Sequence, residues 1–229
     1  MSIWHSVIHP VTRHFRQRRG QFLLNAFPAI ASLRICDLGG SRHFWDKLGL
    51  DVPRQHITIY NISSGETQAV NAQPGAAGQA LADGGIQVLI YDGQHIPVVD
   101  QHFDLLVCNS VLEHVPPGQR AALVAEMRRV AKAVFCQTPA RSFPIEPHFL
   151  MPFVHWLPRR WGYQLIKLSP WRLLARPSAA DIHAYWWGTQ LLNRLEIKNL
   201  FPNAKVQAET VLGWVKSFYV VENITPMRH

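Results

Sequence analysis

Residues Asp37-Leu38-Gly39-Gly40-Ser41 place a carboxylate two positions ahead of a double glycine. Adjacent glycines let backbone approach a ligand closely, as a nucleotide-binding turn requires. A dinucleotide-binding turn would read G-x-G-x-x-G, whereas Gly39, Ser41 and Phe44 occupy those positions. Such a turn also needs an acid about twenty residues on to grip a ribose, and Ile59, Tyr60 and Asn61 fill that stretch. Asp37 therefore points to a ligand that carries positive charge. A second constellation lies in TPARSFPIEPHFLMPFVHWLP, residues 138–158. Glu146 and His148 are the only ionisable residues between Arg141 and His155, in an apolar segment stiffened by Pro144, Pro147 and Pro152. A carboxylate and an imidazole held together can take a proton from an acceptor hydroxyl. Glu113-His114 offers another imidazole, which reads equally as a base or as the anchor of its loop. The structural alternative for the first pair has Glu146 capping backbone amides and His148 packing beneath a lid.

These residues need elements to hold them. RICDLGG (34–40), ITIYNIS (57–63), IQVLIYDG (86–93), FDLLVCNS (103–110) and AVFCQTP (133–139) read as five strands. A basic helix is expected over 1–27, with Pro10 in its first turn and Val11, Phe15, Arg18 and Phe22 on one face. Further helices are expected over Phe44–Leu48 and from Pro116-Pro117-Gly118 onward, the latter with Leu123, Met127, Val130 and Ala131 inward. Residues 73–85 read as a loop carrying a short helix. Thr189 to Leu200 reads as a helix with Leu191, Leu192 and Leu195 inward, and 205–214 with 216–223 as a closing antiparallel pair. Alternating strands and helices imply an α/β fold with a parallel sheet covered on both faces. Ligands in such sheets bind beyond the carboxyl ends of the strands, where strand order reverses. One domain is expected, divided into a basic segment (1–30), a core (31–139), a Pro/Trp-rich lid or substrate segment (140–188) and a closing helix and hairpin (189–229).

Composition excludes other classes. With 229 residues, 48% hydrophobic and 17% charged, the chain can bury one α/β core and is not disordered. No apolar run approaches the ~18 residues of a membrane span, and the start shows no secretory signal. Cys36, Cys108 and Cys136 each sit in an apolar run and read as reduced core residues of a cytoplasmic protein; no metal-ligating set is expected. The net charge of +8 suits nucleic acid, an anionic lipid surface or acidic small molecules. WLPRRWGYQLIKLSPWRLLAR (156–176) interleaves Trp156, Trp161 and Trp171 with Arg159, Arg160, Lys167, Arg172 and Arg176. That segment reads either as a lid or as a face peripheral to the inner membrane surface.

In order and spacing, ICDLGGS, DGQHIP and FDLLVCNSVLEHV resemble the class I S-adenosylmethionine-dependent methyltransferases of the type 11 kind. The FPIEPH stretch resembles a bacterial subgroup of them. The resemblance implies a Rossmann-like, mostly parallel seven-stranded sheet with an antiparallel terminal hairpin, and S-adenosyl-L-methionine as cofactor. Carried over, Asp37 sits near the methionine end, and Gly39, Gly40 and Ser41 line the cofactor. Asp92 accepts from the adenine amino group, Gly93 and Gln94 flank the ring, and Asn109 lies beside the sulfonium. Asn61 stands where most members grip the ribose with an acid; an amide can still bond hydroxyls. The implied reaction is methylation of a small or lipid-linked acceptor, at oxygen, with His148, Glu146 or His114 activating it. RNA methylation is the first alternative, although no Asn/Asp-Pro-Pro-aromatic element, Pro-Cys nucleophile or appended RNA-binding module is visible. A retired methyltransferase serving as a scaffold is the second. The acceptor and the oligomeric state stay open at this level.

Overall fold

Short runs rich in Ile, Val and Leu become the strands, because such residues suit a sheet buried on both faces. In the computed structural model, which describes residues 3–62, 85–175 and 177–224, the strands are β1 (Ile35–Leu38), β2 (Ile57–Asn61), β3 (Gln87–Ile90), β4 (Leu105–Asn109) and β5 (Ala133–Pro139). A two-residue pair, β6 (Ile145–Glu146) and β7 (Met151–Pro152), follows, and β8 (Lys205–Val211) and β9 (Trp214–Asn223) close the chain. One sheet has seven strands in the order β3-β2-β1-β4-β5-β9-β8, and β6 pairs with β7. β1 runs parallel to both neighbours, with Ile35 opposite Ile57 on one side and Leu105 on the other. The order reverses between β1 and β4, so the crevice for a ligand opens beyond Leu38 and Asn109.

The helices among the described residues are α1 (Ile3–Ala26), α2 (Arg42–Leu48), α3 (Pro117–Val130), α4 (Arg159–Ile166), α5 (Pro170–Ala175), α6 (Ala179–Gly188) and α7 (Arg194–Leu200). The chain divides into two compact units. One holds residues 1–109, 122–136 and 221–229, and the other holds 110–121 and 137–220. In the first, Leu123, Met127, Val130 and Ala131 are buried as the periodicity of α3 requires. In the second, Phe149, Val154, Ile166, Ile182 and Trp186 form a separate core. Gly162 of α4 lets that core close, since a Cβ there would meet the Trp186 ring at 2.5 Å.

Several expected elements shift. The helix expected from Phe44 begins at Arg42, because Ser41 caps it by accepting from the Phe44 amide. α1 begins at Ile3 and runs through Pro10, which the sequence placed in a first turn. Thr189–Leu192 is not helical: Asn193 and Glu196 form a capping box that starts α7 at Arg194. Leu191 and Leu192 are buried as expected, but Leu195 is 67% exposed. The last turn falls at Leu212-Gly213, where both residues have positive φ, the two-residue hairpin geometry that matches strand twist. The region 140–188, read as irregular, contains three helices and the β6–β7 pair. The loop expected over 73–85 lies outside the described residues except for Gly85.

Candidate active site

The turn after β1 is built around Asp37. Its carboxyl is fully buried and takes a 2.7 Å hydrogen bond from the Trp45 indole through Oδ2, while Oδ1 has no partner. Burial pushes the Asp37 pKa up to about 7, against the opposing pull of the Trp45 bond. Gly39 turns the chain at a φ of +71° and donates its N–H to the Tyr60 carbonyl at 2.8 Å. Gly40 must lack a side chain, because a Cβ there would fall 1.8 Å from Asp37 Oδ2. Asn61 ties the turn to β2 by donating from Nδ2 to the Gly40 carbonyl at 3.3 Å. Ser41 spends its hydroxyl on the α2 cap. After β3, Asp92 Oδ1 accepts from the amides of Gln94 and His95 at 2.8 and 2.7 Å, with Gly93 between at positive φ. Those two bonds, that of His95 first, hold the Asp92 pKa below its ordinary value. Glu126 of α3 fastens this turn by accepting from the Ile96 amide at 2.7 Å, and Arg129 fastens Glu126 in turn. At the end of β4, Asn109 keeps a buried Oδ1 with no partner. Two unpartnered acceptors, one a carboxylate, suit a cationic ligand with donors of its own.

The second unit gathers Glu113, His114, Glu146 and His148. Ser110, at a φ of +56°, donates from its amide and hydroxyl to Gln137 and turns the chain into the short helical turn that carries Glu113 and His114. Glu113 is fully buried; Thr138 donates to its Oε2 at 3.0 Å, and Oε1 has no partner. Burial raises the Glu113 pKa. Glu146 is 2% exposed, bonding His148 Nδ1 at 2.7 Å through Oε1 and the Phe149 amide at 2.8 Å through Oε2. Positive φ at Leu150, in the loop between β6 and β7, and at Phe153, just after β7, bends the chain that carries this pair. Burial alone would lower the His148 pKa, but the Glu146 bond and charge, with the Glu113 charge, raise it. The His114 ring stands edge-on to His148, centroids 5.0 Å apart, with Nδ1 3.2 Å from Thr189 Oγ1. His114 is exposed in part, yet burial of the remainder and the His148 charge bring its pKa down to about 4, against the pull of the Glu146 charge.

Residues 40–133 match the family model described as a methyltransferase domain. Among solved structures, magnesium protoporphyrin IX methyltransferase from Synechocystis PCC 6803 with bound SAH aligns at a TM-score of 0.55 and 12% identity, covering 97% of this chain and 89% of that one. A SAM-dependent methyltransferase from Archaeoglobus fulgidus aligns at 0.52 and 10%, covering 91% and 94%. Burkholderia thailandensis 1,6-didemethyltoxoflavin-N1-methyltransferase aligns at 0.52 and 11%, covering 97% and 84%. The fold is that of the class I S-adenosylmethionine-dependent methyltransferases. No curated protein sequence matches it.

Within this methyltransferase-like fold, the sequence-predicted residues fall into two sets. Asp37, Gly39, Gly40, Ser41, Asn61, Asp92, Gly93, Gln94 and Asn109 all belong to the first unit, at the ends of β1 to β4. His114, Glu146 and His148 belong to the second and meet there. Sequence reasoning treated Glu113 only as a neighbour of His114, although its buried carboxylate completes the group. The second unit also holds a cavity of about 280 Å³, lined among others by Arg120, Arg141, Glu146, Arg159 and Thr189. Arg159 gives its terminal nitrogens to the Trp186 and Thr189 carbonyls, while its buried Nε has no acceptor. No helix among the described residues is long and apolar enough to cross a membrane.

Proposed function

We propose that this methyltransferase moves a methyl group to oxygen on a small or lipid-linked acceptor that carries an acidic group. The observation that carries the reading is the Glu146–His148–His114–Glu113 cluster bordering an arginine-lined cavity: Glu146 and Thr189 line the cavity and bond the two imidazoles. S-adenosylmethionine supplies an activated methyl group whose transfer leaves a neutral thioether. The protein's part is to bind, align and deprotonate. Asp37 and Asn109, with their unpartnered oxygens, take the cationic methionine end, and the bare Gly39-Gly40 turn lets the backbone approach it. Asp92 has Oδ2 left over from its turn to receive the adenine amino group, beside Gly93 and Gln94, and Asn61 stands at the ribose position. Arg141 and the buried Nε of Arg159 hold the acceptor's acidic group. As the O–C bond forms and the S–C bond breaks, the imidazole–carboxylate cluster accepts the proton that the hydroxyl gives up. The acceptors named for the aligned structures, magnesium protoporphyrin IX and 1,6-didemethyltoxoflavin, are small molecules, in keeping with this class. Calorimetric titration with S-adenosylhomocysteine is the first test. Saturable binding, weakened by Asp92→Ala, is expected; folded protein that binds none of it overturns the reading.

A peripheral position at an anionic membrane face supplies a lipid-linked acceptor. On α4 and just beyond it, Trp161 is 73% exposed, Leu165 41% and Leu168 71%, one apolar stripe at helical spacing. Arg160 and Lys167 flank it. Apolar side chains of this kind enter the lipid interface while the cations meet phosphates. Trp161→Glu is expected to cut co-sedimentation with phosphatidylglycerol vesicles at low salt about tenfold. Vesicle binding that ignores both salt and the substitution sinks the membrane reading and leaves the soluble-acceptor reading standing.

A further inference from the structure

Among the described residues, Glu113, His114 and His148 each present a donor atom, and the three donors lie within 4.8 Å of one another. We propose that they hold a divalent transition-metal ion of zinc's class. The proposal stands on the donor set alone and can fail separately from the methyl-transfer reading.

Each donor is backed by a partner that leaves one lone pair over. His148 Nδ1 lies 2.7 Å from Glu146 Oε1, and a buried carboxylate there fixes Nδ1 as the protonated nitrogen and Nε2 as the free donor. His114 Nδ1 lies 3.2 Å from the Thr189 hydroxyl, and in the tautomer that donates to that oxygen Nε2 is the free donor. Glu113 receives the Thr138 hydroxyl on Oε2, while Oε1 has no hydrogen-bond partner although the residue is fully buried. A buried carboxylate oxygen with an empty lone pair is costly, and a cation relieves it. Carboxylate and hydroxyl partners behind ligating residues are the outer shell that orients metal ligands and raises their basicity.

Two imidazoles and one carboxylate select zinc, iron(II) or manganese over calcium or magnesium, which take mostly oxygen. Three protein ligands leave a position open for water or an acceptor oxygen, as catalytic sites do and closed structural sites do not. His114 is exposed, so the cluster lies within reach of solvent. A dication would also neutralise the two buried carboxylates, Glu113 and Glu146.

The test loads chelator-stripped protein with zinc, removes free ion by desalting and measures bound metal. Cobalt(II) substitution adds visible absorption from nitrogen and oxygen ligation. About one retained equivalent is expected. Glu113→Gln and His148→Ala should lose it, Glu146→Gln should weaken affinity about 10–100-fold, and His183→Ala, outside the cluster, should bind as the parent does. Where Glu113→Gln fails to fold, His114→Ala at the exposed edge carries the same test. No retained metal in the parent overturns the site. So does metal retained equally by the folded cluster variants, which would mark adventitious binding elsewhere. Binding of S-adenosylhomocysteine measured on the same samples separates the two readings, since either ligand can be lost while the other is kept.

Discussion

His148→Ala is expected to reduce methyl transfer to the true acceptor by about 10²–10⁴-fold, the range for losing a positioned proton-handling group. The imidazole is the hub of its cluster: it bonds Glu146 at 2.7 Å and stacks edge-on to His114 at 5.0 Å. Without it, Glu146 keeps only the Phe149 amide, and a buried carboxylate loses a partner. That exposes the folded state to a loss of about 1–3 kcal/mol, so thermal unfolding must be followed alongside turnover. Affinity for S-adenosylhomocysteine should stay near the parent value, because the proposed cofactor residues lie in the other compact unit. His183→Ala is the comparison: exposed on α6 and absent from the cavity lining, its ring stands edge-on to Tyr163 with centroids 5.8 Å apart, and its removal should leave most turnover in place. Equal turnover in parent and His148→Ala would remove His148 from the chemistry.

What the sequence reveals follows how local each signal is. β1, β2, β4 and β5 were legible because a strand buried on both faces writes itself as a continuous apolar run, as in LLVC at 105–108. The Asp37 turn was legible as chemistry, but not the reason for Gly40: the glycine makes room for the Asp37 carboxylate itself as well as for a ligand. Around Thr189–Leu200 two local signals competed. The apolar spacing of Leu191, Leu192 and Leu195 suggested one long helix, whereas Asn193 and Glu196, a capping box three residues apart, mark where it begins. Leu192 is buried because it bridges Ala140 in extended form, not because it lies on a helix face. The cluster was half legible. Glu146 and His148 are two residues apart, so their pairing could be read directly, whereas Glu113 joins them only through contacts with Thr138 and His148 across 25 and 35 positions. Sequence spacing carries no trace of such closure. Arg159, half-buried on the cavity wall, reads in the sequence only as one cation of a basic lid or membrane face.

Asp37→Asn should raise the stability of the ligand-free protein at pH 8 while abolishing most cofactor affinity. The Asp37 pKa is raised from 3.8 to about 7 by burial, and its partner Trp45 is neutral, so the folded state holds the proton more tightly than the unfolded chain. Between those two values the folded form binds more protons, and stability falls as pH rises, levelling above about 7. Over about three pH units the fall amounts to about 4 kcal/mol. The asparagine amide cannot ionise, so the variant should lack this fall, keeping only the dependence that Glu113, His114 and His148 give both proteins, and unfold at higher temperature than the parent at pH 8. Cofactor affinity should move the opposite way. An ionised Asp37 is what a cationic methionine end needs, so parent affinity for S-adenosylmethionine should climb from pH 6 to 8 and the variant's should not. The ionised carboxylate is then a strain that ligand-free protein bears and bound cofactor relieves, a trade of stability for function. Melting curves and calorimetry at pH 5.5, 7 and 8.5 on both proteins decide it. A parent whose melting temperature is flat with pH, or an Asp37→Asn variant that binds the cofactor as well as the parent, would show that Asp37 is a structural acid and that the methionine end lies elsewhere.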